Sequence, residues 1–288
     1  MIDDVLGYLR CPNCGLTLAR AGSSIRCAAG HSFDIARQGY VSLVQAGTAK
    51  NAGDTAPMVR ARKDFLAAGH FAGLAAALAD AGAAASVTGP GCVADVGAGT
   101  GYYLAAVLDR MPGHAGLALD ISKYALRAAA RAHPRLGAVG CDAWRTLPVA
   151  DGAADVVLNV FAPRDGAELH RILRPGGCLL LATPAPDHVG ELIGPLGLLS
   201  VDRRKAKRLE AKLGRYFDPA DEQDFRAQVL LDHAAIGALI AMGPSSWHAD
   251  PAALAARISW LPQSVPVTLA VALSVLRRRD ATGDQPGW

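Results

Sequence analysis

Asp95-Val96-Gly97-Ala98-Gly99-Thr100-Gly101 follows the apolar run Cys92-Val93-Ala94 and leads directly into a helical pattern from Tyr102 to Leu108. A buried-type strand thus ends in an acid, breaks into a loop with three glycines and continues as a helix. Glycine lets the backbone turn sharply and approach a ligand that a Cβ would block. The start of the following helix presents free N–H groups. Strand, glycine loop and helix in that order build a nucleotide-type pocket at the carboxyl edge of a parallel sheet. A second apolar strand, Leu117-Ala118-Leu119-Asp120, also ends in an acid, and about twenty residues after the glycines is where a ribose-binding carboxylate belongs.

The glycine spacing selects among nucleotide-type ligands. The dinucleotide fingerprint requires G-x-G-x-x-G, whereas Gly97, Gly99 and Gly101 read G-x-G-x-G, with Asp95 two residues before the first. This arrangement resembles motif I of class I S-adenosylmethionine (SAM) methyltransferases. A pyrophosphate would be repelled by the Asp95 carboxylate, while the methionine ammonium of SAM would be attracted to it. A plain βα turn that merely needs glycines is the competing reading, and the correctly spaced Asp120 weighs against it.

Strand and helix patterns alternate through this region: strands 92–96, 115–119, 137–141, 154–160 and 178–183, and helices 102–110, 123–132 and 165–173. Alternation of this kind predicts a parallel sheet covered by helices on both faces. The turn Leu173-Arg174-Pro175-Gly176-Gly177 separates the last helix from the last of these strands. Further strand-like runs, Phe225–Leu231 and Val265–Leu276, with a helical stretch near 233–242 between them, predict an antiparallel pair at the sheet edge. Upstream, helices are expected from Met58 to about Ala68 and from Gly73 to Ala85, and Gly89-Pro90-Gly91 marks a boundary. The fold expected is α/β: a Rossmann-like class I SAM-dependent methyltransferase core with a small N-terminal zinc-ribbon-like domain. It divides into residues 1–46, a helical connector 47–88 and a methyltransferase domain 89–288.

The N-terminal unit rests on Cys11, Cys14, Cys27 and His31, which read C-x2-C-x12-C-x3-H. Three thiolates and one imidazole give Zn2+ a closed tetrahedral shell, the mark of a structural site. Four protein ligands leave no open position for a catalytic metal. The segment has no evident core of its own, so metal binding would contribute most of its folding energy. A disulfide or a redox C-x-x-C suits the pattern less well. Cys92, Cys141 and Cys178 sit in apolar runs and read as small core residues.

The 288 residues are 51% hydrophobic and 19% charged, a globular composition, with a formal net charge of only +3. Any nucleic-acid contact must therefore use local patches. Three are visible: Arg203-Arg204-Lys205 with Lys207, Arg208, Lys212 and Arg215; Arg277-Arg278-Arg279; and Arg60, Arg62 and Lys63. Each alone reads as a solvated helix or strand end; together they favour an anionic partner. No apolar run is long enough to span a bilayer, and Met1-Ile2-Asp3-Asp4 begins no signal peptide. A cytoplasmic protein without membrane contact is expected.

These residues together resemble the bacterial 23S rRNA (guanine-N1)-methyltransferases of the RlmA type, a group that includes a macrolide-resistance enzyme. The resemblance covers nearly the whole chain. It is carried by the Cys11, Cys14, Cys27, His31 module, Gly39-Tyr40-Val41, Gly53-Asp54, Met58, Ala61-Arg62 and Phe65 to Phe71. It continues through Asp95 to Tyr103, Leu119 to Lys123, Phe161-Ala162-Pro163, Leu173 to Gly177, Ala182 to His188, and Met242-Gly243-Pro244 with Trp247. The glycine loop and the LRPGG turn recur in many methyltransferases, whereas the zinc module joined to the Gly69-His70-Phe71 and Ala182-to-His188 elements is far more specific. Thr100 stands where some relatives carry an acid, Phe71 where they carry Tyr, and Asn159-Val160-Phe161 replaces a different triplet.

The resemblance implies a SAM-dependent enzyme acting on a guanine in a hairpin loop of 23S rRNA, with a zinc domain that helps recognise the RNA, structural Zn2+, and a homodimer. It assigns Gly97, Gly99, Thr100 and Gly101 to the methionine end of SAM beside Asp95, Asp120 to the ribose, Asp142 and Ala143 to the adenine, and Phe71 and His188 to positions near the cofactor. Guanine N1 carries a proton and lies in the Watson–Crick edge, so the base must be unpaired or flipped, and the proton must be taken or the anion stabilised. His188, then Asp54 and Asp165, are the candidate bases; His188 reads equally as a cofactor contact. Phe161 reads as a stacking surface for the base or as core. Two other functions stay open: a SAM-dependent small-molecule methyltransferase, which would not need the zinc module, and a non-catalytic zinc-bearing RNA-binding protein.

Overall fold

A computed structural model describes residues 1–45, 47, 53–85, 89–198, 211–243 and 250–280. The basic residues Arg203 to Arg208, together with Pro244 and Trp247, lie outside the described residues.

In chain order the N-terminal segment carries a short helix α1 (Ile2–Val5) and strands β1 (Leu18–Ala21), β2 (Ser24–Cys27), β3 (Ser32–Asp34) and β4 (Val41–Ser42). Helices α2 (Ala56–Ala67) and α3 (Ala72–Ala85) follow. Then come β5 (Gly91–Val96), α4 (Tyr102–Arg110), β6 (His114–Asp120), α5 (Lys123–Ala129), β7 (Leu136–Gly140), β8 (Ala154–Val160), α6 (Gly166–Ile172) and β9 (Leu173–Pro184). The chain continues as α7 (Gly190–Leu196), β10 (Phe217–Asp232), α8 (His233–Ala241), α9 (Pro251–Ser259) and β11 (Ser264–Arg278).

Eight strands form one sheet in the order β10-β11-β9-β8-β5-β6-β7-β4, and β1-β2-β3 form a separate antiparallel sheet. The six strands β4 to β9 of the large sheet pair in parallel, and β11 runs antiparallel to both β9 and β10. Side-chain alternation explains why the sheet is covered twice. Cys92, Ala94, Val96, Leu117 and Leu119 enter one core, while Val93, Ala118, Val156 and Leu158 enter the other. The second core is completed by α3 and α4 through Leu74, Leu78, Leu104 and Leu108.

The late strands pair antiparallel at the sheet edge as expected, with β11 inside, between β9 and β10. Its inner stretch (Val267, Leu269, Ala270, Val271 and Leu273 at 0–1% exposure) suits an interior strand, and the largely exposed β10 takes the edge. The expected LRPGG turn instead forms the irregular entry to β9, where the register against β8 shifts. Helix α5 stops at Ala129 because Arg131 and Ala132 donate to the carbonyls three residues back, a tightening that ends the α-helical ladder.

The N-terminal segment shares a core with the large sheet. Val5, Leu9, Ile25 and Cys27 belong to the same buried cluster as Leu117, Leu119 and Val139. Strand β4 extends the sheet beside β7, with Val41 opposite Val139, and Leu43 N donates to Gly140 O (2.8 Å). Arg10 N reaches Pro148 O (3.0 Å), and Ala150 N reaches Tyr8 O (2.8 Å). The missing apolar interior of this segment is thus supplied by the sheet.

This packing requires Gly137: a Cβ there would run into Val5 Cγ2 and stand 3.1 Å from Met1 O. Gly137→Val is expected to lower unfolding stability by roughly 1–3 kcal/mol, the usual effect of overpacking, as read from urea denaturation. An unchanged midpoint would show that α1 does not pack on β7 in solution.

Candidate active site

The carboxyl edge of β5, β6 and β7 gathers the acids and glycines. Asp95 is 2% exposed, and its Oδ1 has no hydrogen-bond partner. Burial, with a smaller contribution from Asp120, pushes its carboxyl up to about 8. Asp120 is also raised by burial; it accepts from Gly99 N and Ser122 N, both at 2.8 Å. Gly97 and Ala98 donate to Leu119 O (2.8 and 3.0 Å), which locks the loop onto β6. Gly97 has φ 80°, and a Cβ on it would strike Ala162 Cβ, so the loop passes where only glycine fits. Thr100 is buried, and Gly101 caps α4. Asp142 follows β7, accepts from Trp144 N (3.0 Å) and leads into half-buried Ala143, while Cys141 N bonds Asp120 O (3.0 Å). A buried acid with an unmet oxygen beside a side-chain-free loop calls for a ligand with a positive end. SAM, with its ammonium and sulfonium, fits that demand.

Arg62 of α2 lies over the same loop, with Nη1 3.1 Å from where a Gly99 Cβ would stand. It pairs with Asp54 and donates to Met242 O (2.7 Å). Asp54 O in turn accepts from Ser122 Oγ (2.6 Å). Asp54 therefore sits beside the Asp120 end of the crevice with its carboxylate engaged by Arg62, an arrangement unlike that of a free base. Sequence reasoning grouped Arg62 with a surface patch. The available signal was helical spacing: Arg60 and Lys63 share a face that Arg62 does not.

Three rings meet at the ends of β8 and β9. Phe71 is buried, and its centroid lies 6.1 Å from Phe161 and 6.3 Å from His188; Phe161 and His188 are 5.9 Å apart. Phe161 is 41% exposed, so it is an open ring rather than core. Phe161 (φ 54°) and Val189 (φ 50°), the neighbour of His188, are the only non-glycine residues at positive φ among the described residues. Such strain persists only where its surroundings impose it. Buried Asn159 contributes by donating to Val96 O (3.1 Å) and Pro163 O (3.0 Å), which fastens the Phe161 turn to the end of β5. Val189 N bonds Thr268 O (2.8 Å), and Ala185 N bonds Ala270 O (2.9 Å).

His188 Nδ1 accepts from Ala270 N at 3.2 Å. A backbone N–H can only donate, so the neutral ring carries its proton on Nε2. Burial lowers the ring's affinity for a second proton. His188 therefore offers an N–H donor in the free chain, whereas the sequence had ranked it first as a base. Asp165 is exposed, and its carboxylate is occupied as the cap of α6, accepting from Ala167 N (2.9 Å).

The four N-terminal ligand candidates converge. Their ligating atoms all lie within 4.8 Å of one another, with Cys11 Sγ and Cys27 Sγ 3.5 and 3.4 Å from His31 Nδ1 and Cys14 Sγ 3.6 Å from Cys27 Sγ. Ligands about 2.0–2.3 Å from a tetrahedral Zn2+ have edges of roughly 3.3–3.8 Å, so the cluster fits that ion. Cys92, Cys141 and Cys178 are buried elsewhere as free thiols. Among the described residues no single helix is long and apolar enough to cross a membrane.

Two outcomes are expected. Asp95 titrates near 3.8 when unfolded and near 8 in the fold, so between those values the fold holds the extra proton and stability falls as pH rises. Asp95→Asn should flatten that fall in urea midpoints measured from pH 4.5 to 8; an unchanged slope would refute the buried, unpaired carboxyl. Metal analysis of the purified chain should find about one zinc, and Cys14→Ser should lose it together with amide protection in β1–β3. Retention of that protection without metal would remove zinc from the folding of this unit.

Comparison with known proteins agrees with this geometry. Residues 9–49 match the RlmA N-terminal zinc-ribbon family, and residues 93–177 match a methyltransferase-domain family. The 23S rRNA (guanine(748)-N(1))-methyltransferase of Streptomyces fradiae is 50% identical, over 96% of this chain and 99% of that protein. A Micromonospora griseorubida protein carried under the 23S rRNA (guanine-N(1)-)-methyltransferase name is also 50% identical, over the same shares. A Bacillus subtilis protein under that name, YxjB, is 30% identical over 93% of this chain and 95% of its own length. The chain belongs to the family of 23S rRNA (guanine-N1)-methyltransferases, SAM-dependent enzymes that carry an N-terminal zinc ribbon.

Proposed function

We propose that this chain methylates N1 of a guanine in a hairpin loop of 23S rRNA, at the position named for the Streptomyces fradiae relative, guanine 748. The observation that carries the reading is the open Phe161 ring standing with His188 at the same sheet edge as the unpaired Asp95 oxygen. A base stacked on Phe161 would face the crevice in which a positive donor is favoured. Splayed loop bases are what RNA-binding proteins commonly stack on aromatic rings. The zinc ribbon would present the RNA, and residues 1–46, 47–88 and 89–288 would serve as recognition unit, connector and catalytic unit. We further propose a cytoplasmic homodimer whose product lowers macrolide sensitivity.

When bound, SAM supplies a methyl group already activated on sulfur. The chain's part is then positioning and electrostatics. Asp95 and the Gly97–Gly101 loop would hold the methionine end, Asp120 the ribose hydroxyls, Asp142 and Ala143 the adenine, and Phe71 would back the crevice. Arg62 would exchange its bond to Asp54 for the methionine carboxylate. The His188 Nε2–H would donate to guanine O6, where negative charge gathers as N1 loses its proton to solvent. Asp54 and Asp165 would act as the partner of Arg62 and the cap of α6.

Primer extension on 23S rRNA should stop at the target guanine only after treatment with this chain and SAM, because N1-methylguanine cannot pair. No stop anywhere in the rRNA would sink the reading and favour a small-molecule substrate. His188→Asn should lower kcat by roughly 10²-fold, the scale of one lost anion-stabilising donor, with the Kd for SAM nearly unchanged. Arg62→Ala should weaken SAM binding by about tenfold or more through one lost charge-assisted bond, as read by calorimetry. If His188→Asn loses SAM affinity instead, His188 is a cofactor ligand and its donation to the base is excluded.

A further inference from the structure

Helices α2 and α3 meet at 84° and, with α4 and α5, enclose a groove of about 930 Å³. Its floor is apolar, formed by residues such as Val59, Leu66, Ala75, Ala105 and Ala128. Its rim carries Arg60 and Lys63 from α2, Arg110 from α4, Arg127 from α5 and Arg131 from the turn that follows α5, against a single acid, Asp109. Asp109 faces His133 (3.4 Å), and Arg110 is paired with Asp80 (3.1 Å). The other four cations are exposed and form no ion pair with an acid among the described residues. Four uncompensated charges exceed the formal net charge of the whole chain, +3.

The Arg277–Arg279 cluster is engaged differently. Arg277 donates to Ala85 O and Gly176 O, Arg278 to Leu173 O, and Arg279 to Asp218, so that triplet ties β11 to its surroundings. Among the described residues, no acid answers Arg60, Lys63, Arg127 or Arg131 in this way. Thr100 of the cofactor loop and Tyr102 at the start of α4 also line it, so it adjoins the cofactor loop. Tyr124, with the Arg127 guanidinium 5.7 Å from its ring centroid, adds an aromatic surface.

We propose that this groove holds the phosphate backbone of the RNA flanking the target loop. The inference rests on the rRNA-methylating function proposed above. A strand that delivers its base to the crevice must leave over a neighbouring surface, and a polyanion is the partner that an acid-poor, cation-rimmed trough complements. A second copy of this chain would meet the same apolar floor, and the test separates it from RNA.

The experiment compares the wild type with Arg127→Gln/Arg131→Gln and Arg60→Gln/Lys63→Gln by filter binding. Two RNAs are used: a hairpin carrying the target loop on a full stem, and the same loop trimmed to its closing pairs, both from 50 to 300 mM salt. Each double variant should bind the full-stem hairpin roughly tenfold more weakly at the lower salt. Its slope of log affinity against log salt should be shallower by about 1.4–1.8, the value for two lost phosphate contacts. Binding to the trimmed loop, the Kd for SAM, the melting temperature and the sedimentation coefficient should match the wild type. Full-stem affinity and slope equal to wild type, in a wild type that methylates the hairpin, would overturn the groove while leaving the proposed function standing. Equal weakening on both RNAs would overturn the flanking placement, and a changed sedimentation coefficient would assign the groove to a copy–copy contact. A wild type that neither binds nor methylates either RNA would end both proposals.

Discussion

A carboxylate held in a nearly dry site with one oxygen unmet is the constraint on which the catalytic edge depends. Asp95 is 2% exposed, its Oδ1 has no partner, and Asp120 stands near enough to raise its proton affinity further. Removing a charge from water without a partner is costly enough that the group protonates instead. A positive ligand reverses that balance, because only the ionised form attracts it. The glycine loop serves the same end: Gly97 passes Ala162 where no Cβ could, and the backbone beside the acid stays open.

Around that acid, the architecture is a set of ties between distant parts of the chain. Asn159 links the Phe161 turn to the end of β5, Ser122 links Asp54 to Asp120, and Arg62 links α2 to the end of α8. The zinc ribbon is tied as well. Its apolar residues enter the core on one face of the large sheet, and β4 lengthens that sheet. Loss of metal would therefore disturb the packing against β6 and β7 as well as the ribbon itself. The ribbon and the turn that carries Phe161 thus share one sheet.

Much of this was legible in the sequence because the signals are local. The strand–glycine–helix passage from Asp95, the second acid at Asp120 and the C-x2-C-x12-C-x3-H spacing each lie within a few tens of residues, and each sits where its pattern required. What could not be read depends on long-range pairing. The insertion of β11 beside β9 is decided by which strand has a fully apolar run. The entry of β4 into the large sheet needs Gly140 and Val139, about a hundred residues away. The contacts of Arg62 and His188 were hidden for the same reason. Arg62 is defined by Asp54, Gly99 and Met242 together, and the His188 tautomer by an N–H on β11. Whether Phe161 is core or exposed depends on which neighbours reach it, and the ring is 41% exposed.

The central claim is most directly tested by a carbon-13 NMR titration of the Asp95 carboxyl in the free chain and with SAM bound. The expected midpoint lies near 8 in the free chain and falls toward the ordinary carboxylate range once the positive ligand is seated. A free-chain midpoint near 4, or a midpoint near 8 that SAM does not move, would contradict it.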